Sequence, residues 1–132
     1  MSIAAANKQL MQTAFAEMAK GNTKPFVDTW SDDFSWTCTG TTKWSGTYRG
    51  KQTVLNDLFK PLYALFDGLY TNSAQRFVAE DDIVVVECRG DVMMKSGKRY
   101  ANIYCFVCRL DGGKMRELTE YLDTELVTAA LT

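Results

Sequence analysis

The run from Asp82 to Asp123, DIVVVECRGDVMMKSGKRYANIYCFVCRLDGGKMRELTEYLD, decides the reading of this chain. It holds three apolar-rich segments, separated by Lys-Ser-Gly-Lys at 95–98 and Asp-Gly-Gly-Lys at 111–114. Short alternating runs joined by glycine-bearing turns are the pattern of an antiparallel meander. Side chains two apart on a strand share a face. In the first segment Glu87, Arg89 and Asp91 therefore share one face, while Val84, Val86, Cys88, Val92 and Met94 share the other. In the second, Tyr100, Asn102, Tyr104 and Phe106 stand together. The third ends at Asp123. Hairpin order would let Asp91 and Asp123 meet across one concave face with Arg89 between them. Two carboxylates in unlike surroundings can divide the roles of acid and base, so Asp91, Asp123 and Arg89 are the candidate catalytic set.

Outward from this run, the apolar positions Val54, Leu55, Leu58, Phe59, Leu62 and Phe66 predict a helix over 51–66, which Pro61 should kink or divide. A strand is expected over 69–79. Further upstream, Phe34, Trp36 and Cys38 alternate with Ser35, Thr37 and Thr39, and a second short strand covers 44–49. Residues 2–20 carry the spacing of an amphipathic helix, with Ser2 placed to cap it. Thr23 and Pro25 open a short second helix, and 124–131 suggest a helical tail. Helices followed by a meander predict an α+β fold. In it, three helices from the N-terminal half close a strongly curved antiparallel or mixed sheet over a hydrophobic pocket. Trp36, Trp44, Tyr63, Tyr100, Asn102 and Tyr104 are the expected lining of that pocket.

The 132 residues suit a single domain spanning 1–132. Lysines and arginines number 15 against 16 acids, for a net charge of −1, and no basic block is present to grip phosphates, so nucleic acid is not an expected partner. No apolar run has the length of a membrane span, and the N-terminus lacks a signal-peptide pattern, so a cytoplasmic protein is expected. There, Cys38, Cys88, Cys105 and Cys108 would be reduced thiols. Cys105 and Cys108 have C-x-x-C spacing, but on a strand they fall on opposite faces, which favours packing over metal or redox chemistry. The chain contains no histidine. That removes Ser-His and Cys-His nucleophile systems and the usual histidine metal sites. No metal or cofactor is expected, and acid–base work falls to Asp, Glu, Tyr, Lys or Cys.

Three motifs, Trp44-Ser-Gly-Thr-Tyr-Arg-Gly-Lys51, Tyr100-Ala-Asn-Ile-Tyr-Cys105 and Asp111-Gly-Gly-Lys-Met115 leading to Glu120-Tyr-Leu-Asp-Thr124, together with the element order, resemble the nuclear transport factor 2-like superfamily and its SnoaL-like group of cone-shaped proteins. That resemblance implies a homodimer through the sheet, a small apolar ligand in the cone and isomerase, cyclase or epoxide hydrolase chemistry. The alternative it leaves open is a non-catalytic ligand-binding or dimerisation domain of the same fold. Arg89-Gly90-Asp91 with Asp123 is similar to the paired-aspartate pattern of limonene epoxide hydrolases. There it implies Asp123 as base, Asp91 as acid and Arg89 as their bridge. Trp36 and Cys38 stand near the positions where that family carries a water-holding Tyr and Asn. Likeness to ketosteroid isomerases implies an oxyanion-holding tyrosine, for which Tyr63, Tyr100 and Tyr104 are candidates. Likeness to SnoaL-type cyclases implies Asp123 as the single acid–base group.

Overall fold

The computed structural model describes residues 1–131. In chain order, α1 (Ile3–Met18), α2 (Lys24–Asp28), β1 (Trp30–Cys38) and β2 (Gly46–Arg49) come first. A continuous helical stretch follows: α3 (Lys51–Thr53), a π-helical segment (Val54–Phe59) and α4 (Lys60–Tyr63). Next are β3 (Thr71–Glu80), β4 (Ile83–Met93), β5 (Arg99–Tyr100), β6 (Ile103–Asp111), β7 (Lys114–Leu122) and α5 (Thr124–Leu131). The strands pair in the order β2-β1-β7-β6-β4-β3, with β5 hydrogen-bonded to β4. All pairings are antiparallel except β1 with β7, so the sheet is mixed. It curls into a half-barrel that the helices close, giving the α+β cone.

Local chemistry explains the joints. Ser2 Oγ accepts the backbone N–H of Ala5 at 3.1 Å and caps α1. Gly112 and Gly113 have φ of 58° and 76° between paired Asp111 and Lys114. Such a two-residue turn, with both central φ values positive, matches the twist of its strands. Pro61, expected to kink or divide the helix, leaves it undivided but follows an irregular π-helical turn. It sits at the start of α4, behind a widened turn in which the Lys60 N–H reaches back to the Leu55 carbonyl. Proline has no N–H to give and its ring presses on the carbonyl four residues earlier, so the π turn absorbs the mismatch.

The two faces of β4 settle what lies inside. Val84, Val86, Cys88, Val92 and Met94 are buried against α1 and the aromatic core. Glu87, Arg89 and Asp91 face outward and are half-buried or exposed. Burying a Val- or Met-sized side chain stabilises by about 1.5–3 kcal/mol, whereas burying an ion costs several kcal/mol. The apolar face therefore takes the concave side. The sequence-based expectation that the charged face lines the hollow is corrected here. The helical closure is also broader than expected, since the C-terminal α5 packs Val127, Ala130 and Leu131 against Phe66, Val92, Met94 and Tyr100. Among the described residues no helix is long and apolar enough to cross a membrane.

Candidate active site in the cone

The concave side of the sheet and the helices enclose a cavity of about 70 Å³. Its wall is mostly aromatic and aliphatic, and its polar members are Thr23, Cys38, Asn72, Glu120 and four tyrosines. Glu120 is the carboxylate inside. It stands on β7 between Leu118 and Leu122, beside parallel β1, where Cys38 is its register partner. Its backbone carbonyl accepts the Thr39 N–H at 3.1 Å and the Thr39 hydroxyl at 2.8 Å, which fixes the strand there. Its side-chain Oε1 accepts the indole N–H of Trp36 at 3.1 Å. Glu120 retains some accessible surface, but it lines the cone's cavity, and its carboxyl is desolvated. Burial pushes that carboxyl up to about 7, against the smaller opposing pull of hydrogen bonds from Trp36 and Cys38.

The other titratable side chains of the wall are far from exchanging protons at neutral pH. Burial, followed by the nearby Glu120 charge, pushes the Cys38 thiol up to about 12. Burial likewise lifts Tyr63 and Tyr100 to about 12 and raises Tyr70 and Tyr104 well above the ordinary phenol value. The tyrosines thus remain neutral donors, and Glu120 alone among these groups can take and return a proton near pH 7. Two tyrosines are anchored by amides. Asn102 Nδ2 donates to the Tyr100 hydroxyl at 2.9 Å, and Asn72 Nδ2 donates to the Tyr70 hydroxyl at 3.1 Å. Tyr70 and Tyr104 fit because position 90 is glycine. A Cβ there would lie 2.8 Å from the Tyr70 hydroxyl and 2.9 Å from Tyr104 Cε2.

Of the ligand-lining candidates read from the sequence, Trp36, Trp44, Tyr63, Tyr100 and Tyr104 line the cavity. Asn102 does not. It is buried behind Tyr100, where its amide clamps two strand ends. Its Nδ2 donates to the Asp123 carbonyl at 3.1 Å, and its Oδ1 accepts the N–H groups of Ile103 and Asp123 at 2.8 and 3.2 Å.

The proposed catalytic trio is not assembled. Asp91 is gripped by Arg99, not Arg89, with Nε and Nη2 at 2.9 and 2.7 Å, and that guanidinium holds its carboxyl below the usual range. Asp123 is exposed and caps α5, its Oδ1 accepting the Leu126 N–H at 3.2 Å. Arg89 is exposed and lies with Asp123 on a shallow depression of the outer face. Neither aspartate reaches the cavity, so the arrangement carried over from epoxide hydrolases is absent.

Glu120, Asn72 and Tyr70 were not singled out from sequence. The signal for Glu120 was present: leucines two residues to either side place it on the apolar face of its strand.

This cone, closed by helices and holding one desolvated carboxyl among rings, defines a small-molecule pocket protein of α+β type. The chain belongs to the SnoaL-like domain family, which matches residues 11–118. Among solved structures, it is similar to a nuclear transport factor 2-like protein from Burkholderia thailandensis, with a TM-score of 0.80 and 23% identity over 96% of this chain and 97% of that one. It is similar to a Jannaschia protein provisionally assigned as a SnoaL-like polyketide cyclase, with a TM-score of 0.79 and 16% identity over 98% and 94%. It is also similar to TerC, co-crystallised with polyporic acid, with a TM-score of 0.78 and 16% identity over 95% and 97%. No curated protein matches the chain.

Proposed function

We propose that this protein is an acid–base enzyme of SnoaL-like type, in which Glu120 moves a proton on a small apolar cyclic carbonyl compound held in the cone. The observation that carries this reading is the Glu120 carboxyl enclosed by rings and raised to about 7. A proton-transfer group works best with a pKa near the working pH, and a carboxyl in an apolar wall attains that by desolvation. As carboxylate, Glu120 removes a proton from the carbon next to the carbonyl. The C–H electron pair moves into an enolate whose charge settles on the oxygen. Glu120, now protonated, returns the proton to the same carbon or, where a ring double bond extends the enolate into a dienolate, to its γ-carbon. Trp36 holds the carboxyl in place by its N–H and keeps it from turning out of reach. Isomerase and cyclase chemistry both share this step. The experiment is exchange of the α-hydrogens of cyclohexanone in D2O, followed by NMR. Acceleration over buffer is expected from the native protein, with a loss of roughly 10²- to 10⁴-fold in Glu120→Gln. Exchange at the same rate in both proteins would remove Glu120 from the chemistry.

The outer face of the sheet favours a homodimer. Val78, Ile103 and Tyr121 are 54%, 58% and 50% exposed there, and Val85 and Val107 stand in register with Val78. Tyr121→Arg is expected to halve the mass found by light scattering, and a native protein that is already monomeric would contradict the dimer. Four free thiols among the described residues fit a reducing, cytoplasmic setting.

A further inference from the structure

Two polar atoms in the cavity's lining residues lack a partner: Asn72 Oδ1 and Trp44 Nε1. Asn72 is 1% exposed, and its amide nitrogen is already engaged with the Tyr70 hydroxyl. An acceptor is left with no donor. Trp44 is fixed by its backbone, whose carbonyl accepts the Tyr48 hydroxyl at 2.8 Å and whose N–H donates to Thr42 Oγ1 at 3.1 Å. Its indole N–H is left with no acceptor. Two further unpaired atoms, Asn7 Nδ2 and Trp30 Nε1, belong to residues outside the cavity lining and take no part. Buried polar atoms are nearly always satisfied, so an unpaired acceptor and an unpaired donor on two residues that line one cavity call for a molecule that carries the complements.

The topology separates the two. Trp44 lies in the loop between β1 and β2, and Asn72 lies on β3, at opposite ends of the strand order. Glu120 on β7 stands between them. The lining contains no Lys or Arg to receive an anion, and its remaining surface is rings and aliphatic groups. The cavity's 70 Å³ corresponds to roughly five to seven waters. That is room for about eight heavy atoms, one ring with two small substituents, and not for a fused polycycle.

We infer that the cavity is built for a neutral monocyclic hydroxyketone whose hydroxyl donates to Asn72 Oδ1 and whose carbonyl accepts the Trp44 indole N–H. The inference rests on the acid–base reading only in placing Glu120 beside the ring. Within that reading, Trp44 holds the oxygen on which enolate charge collects, a donor already in position before the charge develops. Asn72 reads the far hydroxyl and sets which way round the ring enters.

The test is a protein-observed NMR titration with 4-hydroxycyclohexanone, with cyclohexanone, which lacks the donor, and with the bicyclic 6-hydroxy-1-tetralone. The hydroxyketone is expected to bind about tenfold more tightly than cyclohexanone. Asn72→Leu should erase that ratio, while Trp44→Phe weakens both ligands by roughly fivefold. Asn72→Ser serves where the leucine variant does not fold, and the native ratio stands without any variant. A native ratio near one, a ratio unchanged in both Asn72 variants, or tighter binding of the bicycle would overturn the inference. The same ratios are expected in Glu120→Gln. A failure of binding selectivity is thereby separated from a failure of proton transfer.

Discussion

On the outer face of the sheet, Asp91 meets both nitrogens of the Arg99 fork and open solvent, and its carboxyl titrates below the usual range. On the inner face, Glu120 meets Trp36, Cys38 and a wall of rings, and burial lifts its carboxyl to about 7. The two strands differ little in local sequence: each carries acids among apolar residues. What separates these carboxylates is which side of the curl they face. A partner cation on a wet surface fixes the charge. A desolvated pocket makes the proton exchangeable. Under the proposed function, that distinction assigns proton transfer to β7 and leaves β4 to structure.

The largest effect expected from that contrast is in chemistry. Glu120→Gln should lose two to four orders of magnitude in α-hydrogen exchange, while Asp91→Asn and Asp123→Asn retain it. Loss of exchange in Asp91→Asn with the fold intact would reverse the assignment of the two faces. The next effect is on stability against pH. Glu120 has a raised pKa in the fold, so the folded chain holds a proton that the unfolded chain releases above about 4.5. Stability should therefore fall as pH rises from about 4.5 to about 7, by up to about 3 kcal/mol, and level off above that. Denaturant melts of native protein and Glu120→Gln across that range check the sign, because the glutamine variant loses this component. The exposed, Arg-paired Asp91 has the opposite sign and little weight.

Smaller effects sharpen the boundary between the faces. Gly90→Ala points a methyl at Tyr70 and Tyr104 on the inner side, where its contacts would be 2.8 and 2.9 Å. A cost of about 1–3 kcal/mol is expected in a thermal melt, together with weakened cyclohexanone binding. Asp123→Ala removes the α5 cap and should cost about 1 kcal/mol without altering binding. Impaired binding in Asp123→Ala at full stability would bring that side chain back toward the cavity.

Much of the fold was legible. Ser2 as a cap, the two glycines at 112 and 113, and the period-two alternation of β4, β6 and β7 are local signals that the folded chain obeys. Face membership was also legible: Val84 through Met94 and Tyr100 through Phe106 group as the alternation required. Which face turns inward was misread. The family likeness of Arg89-Gly90-Asp91 drew attention to the charged side, although the apolar side gains more by burial. β1 entering parallel beside β7 was not legible either, because residues 84 positions apart in the chain meet there, as Trp36 and Glu120 do. That pairing supplies the indole N–H to Glu120, and local pattern carries no trace of it. The π turn ahead of Pro61 depends on how the helix packs, so the proline announced a disturbance without its form.

The most direct measurement is the titration of the Glu120 side-chain carboxyl by carbon-13 NMR in the native protein. A midpoint of about 7 is expected, shifting when 4-hydroxycyclohexanone is added. A midpoint near 4.5, the value for a solvated glutamate, would show a wet carboxyl with no special proton and would contradict the assignment of the chemistry to the inside of the cone.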